Sequence, residues 1–143
     1  MLNTCNQVFV YGTLKNGHGN NRILSTASYI GDASTSNKFA LGDAGVPYAF
    51  PLDVVKEKDL IEHLCHPIRG ELYRINDIDT AIDLDSLEGY PDYYNRRLIQ
   101  VEVGHSPDTT LYHAWIYTIE DWEYASWCAA SNYNLETGEW SWE

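Results

Sequence analysis

Strand-like segments outnumber helical ones along this chain, and the two kinds do not alternate regularly. A doubly wound parallel sheet needs strand and helix in regular succession, so the pattern favours α+β over that architecture. Gln7-Val8-Phe9-Val10-Tyr11 is a short apolar strand stopped by Gly12. Residues 27–41 read as one or two strands with breaks at Ser, Thr and Gly, and Ile68–Ile75 as another. Two more, Arg97–Val103 and Leu111–Ile119, flank a turn around Ser106-Pro107-Asp108. Gly42 to Pro51 reads as a loop. Gly17-His18-Gly19-Asn20-Asn21 is a second loop, in which Asn20 or Asn21 can cap a short helix through Arg22-Ile23-Leu24. One longer helix has both ends written locally. Asn76 or Asp77 caps its start, and it runs to about Glu88, with Gly89 as its stop and Pro91 just beyond. No internal repeat is present.

At 143 residues the chain has room for one core. Nine Lys and Arg against 21 Asp and Glu leave a net charge of −12, with the positive charges scattered. Such a surface repels phosphate backbones and anionic lipid, which argues against nucleic acid and membrane partners. No apolar run approaches the roughly 20 residues of a membrane span. Met1 to Gln7 carries neither the basic region nor the apolar core of a secretory signal. Cys5, Cys65 and Cys128, odd in number and far apart, suggest free thiols in a reducing cytoplasm. A soluble, acidic, cytoplasmic domain is expected.

From Glu120 onward the composition changes. There is no Lys or Arg, there are six acidic residues, and Trp122, Trp127, Trp140 and Trp142 account for four of the five tryptophans. That much aromatic surface favours burial over a free tail. The expected division is a domain over residues 1–119 and an acidic, Trp-rich extension over 120–143 packed on it. The extension would hold a helix near 121–130 and a final hairpin or strand. A partner-binding or dimer-forming patch is the other reading of the same rings.

Two segments carry chemistry. In Val8-Phe9-Val10-Tyr11-Gly12-Thr13-Leu14-Lys15 a strand ends in a Gly-bearing turn, where successive backbone N–H groups can cradle an anion. It lacks the second glycine and the Lys-Ser/Thr pair of a phosphate loop. In the second, Ile82 to Pro91, helical spacing puts Ala81, Leu84 and Glu88 on one stripe. Glu88 falls in the helix's last turn, where the dipole disfavours negative charge, with Asp85 three residues back. Burial, dipole and neighbour would each push its carboxyl upward from about 4.3, toward what a general acid/base needs near neutrality. Taken alone, these residues fit an ordinary solvated glutamate at a helix end at least as well.

Tyr11-Gly12-Thr13-Leu14, then Leu84-Asp85-Ser86-Leu87-Glu88-Gly89-Tyr90-Pro91, then Tyr94-Asn95-Arg96 together resemble the gamma-glutamylcyclotransferase family, and within it the small gamma-glutamylamine cyclotransferase-like branch. Gly70-Glu71-Leu72-Tyr73 and Ala114-Trp115-Ile116-Tyr117 support the likeness, which covers roughly residues 7–119. The resemblance implies an α+β fold, a compact mixed β-barrel with flanking helices and a pocket at one end. It implies cyclisation of a gamma-glutamyl amide to 5-oxoproline with release of an amine or amino acid, without metal or cofactor. Glu88 matches the family's catalytic glutamate. The backbone at Tyr11, Gly12, Thr13 and Leu14 would hold the substrate, and Tyr94 and Arg96 match the Tyr-x-Arg after the helix. Arg96 either pairs near Glu88 or anchors the loop, and the anchor is favoured. Tyr117 either lines the pocket or is an ordinary half-buried strand tyrosine.

His63-Leu64-Cys65-His66 looks metal-like, but structural zinc wants four spaced ligands and no second cluster appears. A Cys65 nucleophile lacks an orienting partner. The alternative to an enzyme is a binding protein that holds or sequesters a small ligand in the same pocket without turnover.

Overall fold

The computed structural model describes residues 4–12, 15, 17, 19–43, 47–105, 107–122, 133–134 and 139–140. Six strands form its main sheet: β1 (Gln7–Val10), β2 (Ser28–Asp43), β3 (Pro47–Pro51), β4 (His66–Arg74), β5 (Asn95–His105) and β6 (Asp108–Thr118). β1 pairs antiparallel with β4, β4 with β2, β2 with β5, and β5 with β6. The circuit returns from β6 to β1 through a parallel pairing of Val8 with Trp115. These five strands close a mixed barrel, which leaves no open edge among them. β3 pairs antiparallel with the far end of β2 and parallel with β6 at Ala49 and Thr118. The expected barrel is the observed architecture.

β2 is one strand of 16 residues rather than two. Its pairing with β4 shifts register between Tyr29 and Gly31 and again between Ser34 and Lys38. These bulges bend a single strand far enough to meet three partners. At the second, the buried Thr35 hydroxyl donates to the Asn37 carbonyl (2.7 Å) and accepts from the Ile68 N–H (2.9 Å). The expected loop from Gly42 to Pro51 is also corrected, since Pro47–Pro51 is β3. Its prolines stand at the strand's first and last positions, where a missing N–H is tolerated.

Alternation along the strands makes two cores. Phe9, Ile68, Leu72, Val101, Ala114 and Ile116 fill one, the barrel interior. Val8, Val10, Phe50, Tyr73, Ala81 and Leu84 belong to the other, between the barrel wall and the helices. β1 is therefore buried on both faces, which is why it reads as an unbroken apolar run. Gly70 sits among the inward positions of β4, where a Cβ would fall 2.2 Å from the Val10 carbonyl oxygen and 2.8 Å from the Phe9 ring. Only glycine lets β1 and β4 approach there.

Helix α1 (Lys58–Ile61) is a single turn, and 3₁₀ turns occupy Gly19–Leu24, Leu52–Val54 and Glu62–Leu64. Helix α2 (Ile78–Glu88) has the expected ends. The Asp77 carboxylate accepts the Thr80 N–H at 2.8 Å, and Gly89 takes the left-handed conformation at φ 66° that closes the helix. Ala81 and Leu84 are buried against the barrel.

At the start of the extension, Trp122 meets the Phe50 ring edge-on with centroids 4.8 Å apart, and its indole N–H donates to Glu57. A short hairpin of β7 (Tyr133–Asn134) and β8 (Glu139–Trp140) follows, with β8 beside β4. The helix expected near 121–130 falls, beyond Trp122, outside the described residues, as do Trp127, Trp142 and Cys128. Cys5 and Cys65 are free thiols.

Candidate active site

The end of β1 and the C-terminus of α2 meet over the barrel. Tyr11, the first residue after β1, is buried, and its hydroxyl donates to the Tyr117 carbonyl at 2.7 Å while accepting the Ala49 N–H at 3.1 Å. The ring thereby ties β1, β3 and β6 together at one barrel mouth. Gly12 opens a turn in which the Lys15 N–H donates to the Gly12 carbonyl at 3.1 Å. Thr13 and Leu14, expected to contribute backbone to the site, lie outside the described residues.

Glu88 occupies the last turn of α2 and is half-buried. Its backbone carbonyl accepts the Tyr94 N–H at 3.2 Å, so the chain folds back over the helix end and brings Tyr94 to the same place. Its charge acts on the phenols of Tyr11, Tyr94 and Tyr117. Burial pushes each phenol up, and the nearby Glu88 charge pushes each further. All three stay protonated across the physiological range.

The Glu88 carboxyl itself is pushed up from 4.5 to about 7. Burial is the cause, and among the described residues no hydrogen bond or ion pair offsets it. Of the three influences expected from the sequence, burial is the one identified at Glu88. The like-charged neighbour is otherwise engaged. Asp85 takes the Arg96 guanidinium, Nε to Oδ1 at 3.0 Å and Nη2 to Oδ2 at 3.4 Å, and accepts the Tyr117 hydroxyl at 2.7 Å. Arg96 is further held with its guanidinium carbon 4.0 Å from the Tyr90 ring centre and 4.8 Å from that of Trp115. Arg96 pairs one helical turn from Glu88 and also anchors the loop that follows α2, so the two readings of this residue merge. Tyr117 is buried on β6 and reaches Asp85 from there.

Glu88, Tyr11, Gly12, Tyr94, Arg96 and Tyr117 therefore converge on one mouth of the barrel. Asp85, Tyr90 and Trp115 belong to the same cluster and were not singled out as site residues. The signal for Asp85 was its i−3 position on the Glu88 face, together with an Arg96 in need of a partner. Chemically, a protonatable carboxyl poised near neutrality among neutral phenols can accept a proton and return it.

The metal-like segment behaves otherwise. Cys65 is buried, its Sγ donates to the Ile61 carbonyl at 3.4 Å, and burial pushes the thiol up to about 11. His63 is exposed on the surface, and the His66 ring nitrogen Nδ1 engages the Pro67 carbonyl at 2.9 Å. Among the described residues no three metal-type side chains gather, and no helix is long and apolar enough to cross a membrane.

The family model for "Gamma-glutamyl cyclotransferase, AIG2-like" matches residues 8–141. A putative gamma-glutamylcyclotransferase of Methanocaldococcus jannaschii is 32% identical over 111 residues, which cover 77% of this chain and 81% of that one. A gamma-glutamylaminecyclotransferase of Rattus norvegicus is 30% identical over 104 residues, covering 67% and 63%. Among solved structures, the crystal structure of an AIG2-like protein from Mus musculus superposes with a TM-score of 0.64 at 26% identity, over 84% of this chain and 80% of that one. With the closed barrel and the Tyr-Gly turn facing a helix-end glutamate, these likenesses agree, and the chain belongs to the AIG2-like gamma-glutamyl cyclotransferase family.

Proposed function

We propose that this protein cyclises a gamma-glutamyl amide to 5-oxoproline and releases an amine or amino acid, with Glu88 as the proton-transfer group. The observation that carries the reading is the Glu88 carboxyl, half-buried at the barrel mouth and held at about 7. At neutral pH such a group is divided between its charged and neutral forms, so it serves as base and acid in one cycle. Ionised Glu88 takes a proton from the substrate's α-ammonium. The freed amine attacks the side-chain carbonyl carbon, and a carbon–nitrogen bond forms that closes the five-membered ring. As the tetrahedral centre collapses, Glu88 returns the proton to the leaving nitrogen and the bond to that nitrogen breaks. The ionised Glu88 then passes the second proton of the ring nitrogen to the released amine, which leaves as an ammonium. No external nucleophile is needed, because both reacting groups belong to one molecule. Holding them in register is worth effective molarities of about 10⁵–10⁸ M in favourable systems.

The turn beginning at Tyr11 and Gly12 would receive the substrate's polar end, Thr13 and Leu14 included, with Tyr94 and Tyr117 as walls. The rat relative's name refers to gamma-glutamylamine, which favours an amine as leaving group. The test is incubation with a panel of gamma-glutamyl amines and gamma-glutamyl amino acids, followed by detection of 5-oxoproline. Turnover by the wild type, and its loss by roughly 10²–10⁴-fold in a folded Glu88→Gln variant, is the expected result. Ligand binding with no 5-oxoproline from any of them, or a Gln variant that turns over normally, overturns the reading.

A further inference from the structure

Two hydrogen-bond donors are gathered at Asp85, one helical turn before Glu88, and among the described residues neither donates to Glu88. The Tyr117 hydroxyl is within electrostatic reach of the Glu88 carboxylate, yet it donates to Asp85 Oδ1 at 2.7 Å. A phenol has one proton to give, so a bond to Asp85 excludes a bond to Glu88. The Arg96 guanidinium, carried on β5, also turns to Asp85, at 3.0 Å and 3.4 Å. Its plane is fixed by the Tyr90 and Trp115 rings, and its side chain is only 12% exposed. Had either donor reached Glu88, the carboxylate would be stabilised and would accept a substrate proton poorly.

We propose that Asp85 is a positioning residue, which holds the Tyr117 hydroxyl and the Arg96 guanidinium in its own carboxylate and so keeps both donors off Glu88. The inference rests on the reading of Glu88 as the proton-transfer group. Among the described residues, the groups on which the Glu88 charge acts are Tyr11 after β1, Tyr94 after α2 and Tyr117 on β6, while Arg96 on β5 is paired with Asp85 on Glu88's own helix. Tyr11 spends its proton on the Tyr117 carbonyl. Asp85 thus decides where the Arg96 charge and the Tyr117 proton go, and burial is left as the cause of Glu88's high carboxyl.

The test follows the Glu88 carboxyl by ¹³C NMR of glutamate-labelled protein, with the resonance assigned by its loss in Glu88→Gln. In Asp85→Ala the released donors are expected to lower the Glu88 midpoint by one pH unit or more, a tenfold or greater loss of proton affinity. Adding Tyr117→Phe to Asp85→Ala should recover part of that drop. In Tyr117→Phe alone the midpoint should stay within a few tenths of wild type, because Asp85 already held the missing hydroxyl. A Glu88 midpoint unmoved in folded Asp85→Ala overturns the proposal. So does a clear rise in Tyr117→Phe, which would show the hydroxyl serving Glu88 all along; that arm decides the matter should Asp85→Ala not fold. Titration needs no substrate, so its outcome is independent of whether gamma-glutamyl amides are turned over. With a working substrate, the acid limb of kcat/KM should move down by the same interval in Asp85→Ala, a shift that loss of packing alone does not produce.

Discussion

Replacing Glu88 by Gln should stabilise the folded chain above neutral pH while removing its chemistry. The carboxyl titrates at 4.5 when exposed and at about 7 in the fold. Between those values the folded state holds a proton that the unfolded chain has already released. Stability therefore falls as pH rises through this window and levels off above it. Each unit of displacement is worth 1.36 kcal/mol, so keeping Glu88 ionised costs about 3 kcal/mol once pH is well above 7. Gln has nearly the same shape and no charge to bury. The difference in unfolding free energy between variant and wild type should grow in the variant's favour by about 2–3 kcal/mol from pH 5 to pH 8. Other carboxylates displaced by the fold, such as Asp53 and Glu120 against Arg97, titrate alike in both proteins and cancel in the difference.

Urea denaturation at half-unit pH intervals measures this directly. With a slope of about 1–3 kcal/mol/M for a domain of this size, the midpoint gap should widen by roughly 1 M or more across the range. Parallel curves for the two proteins would refute the reasoning, since they would mean that Glu88 has the same proton affinity folded and unfolded. A gap opening in the opposite direction would mean that the ionised carboxylate is stabilised by a partner. The same preparations, assayed for 5-oxoproline, link the cost in stability to the chemistry it permits.

Gly70→Ala should destabilise the domain by about 3 kcal/mol or more, because its Cβ would lie 2.2 Å from the Val10 carbonyl oxygen, which cannot move without parting β1 from β4. A variant within 1 kcal/mol of wild type by urea denaturation would show that the two strands are not so closely opposed. Trp122→Ala removes the edge contact with Phe50 and the hydrogen bond to Glu57, and should cost about 2–3 kcal/mol. Trp122→Phe, which retains a ring, should recover about half; an unchanged melting temperature in Trp122→Ala would mean that the extension does not lean on the barrel at this point.

What could be read from the sequence divides along the reach of the forces involved. The ends of α2 were legible because they are decided within four residues, by the Asp77 side chain on the Thr80 N–H and by a glycine able to take φ 66°. Strand β1 was legible because both of its faces are buried. By contrast, Ser, Thr and Gly along residues 27–41 carry the same local signal whether they break a strand or bulge it. Only the pairing of β2 with three other strands separates the two. Tyr48-Ala49-Phe50 was hidden between prolines that look like turn residues but stand at the strand's ends. Barrel closure depends on Val8 meeting Trp115 from the other end of the chain, which no local pattern specifies; it was legible through the family resemblance.

The same division runs through the site and explains its electrostatics. Helical spacing placed Glu88 in line with the apolar stripe of α2 but left a solvated helix-end glutamate equally open, because a charge is governed by what surrounds it in space. Asp85 looked in sequence like a repelling neighbour of Glu88, because the residues that engage it lie on other elements, Arg96 on β5 and Tyr117 on β6. Once those strands pair along their length, with Arg96 opposite Tyr117, both donors arrive at Asp85 together. The negative charge of the mouth is then compensated at Asp85 and, among the described residues, left uncompensated at Glu88. Barrel closure thus does more than frame the site: the pairing of β5 with β6 determines which of two carboxylates on one helix face is satisfied and which is left able to take a proton.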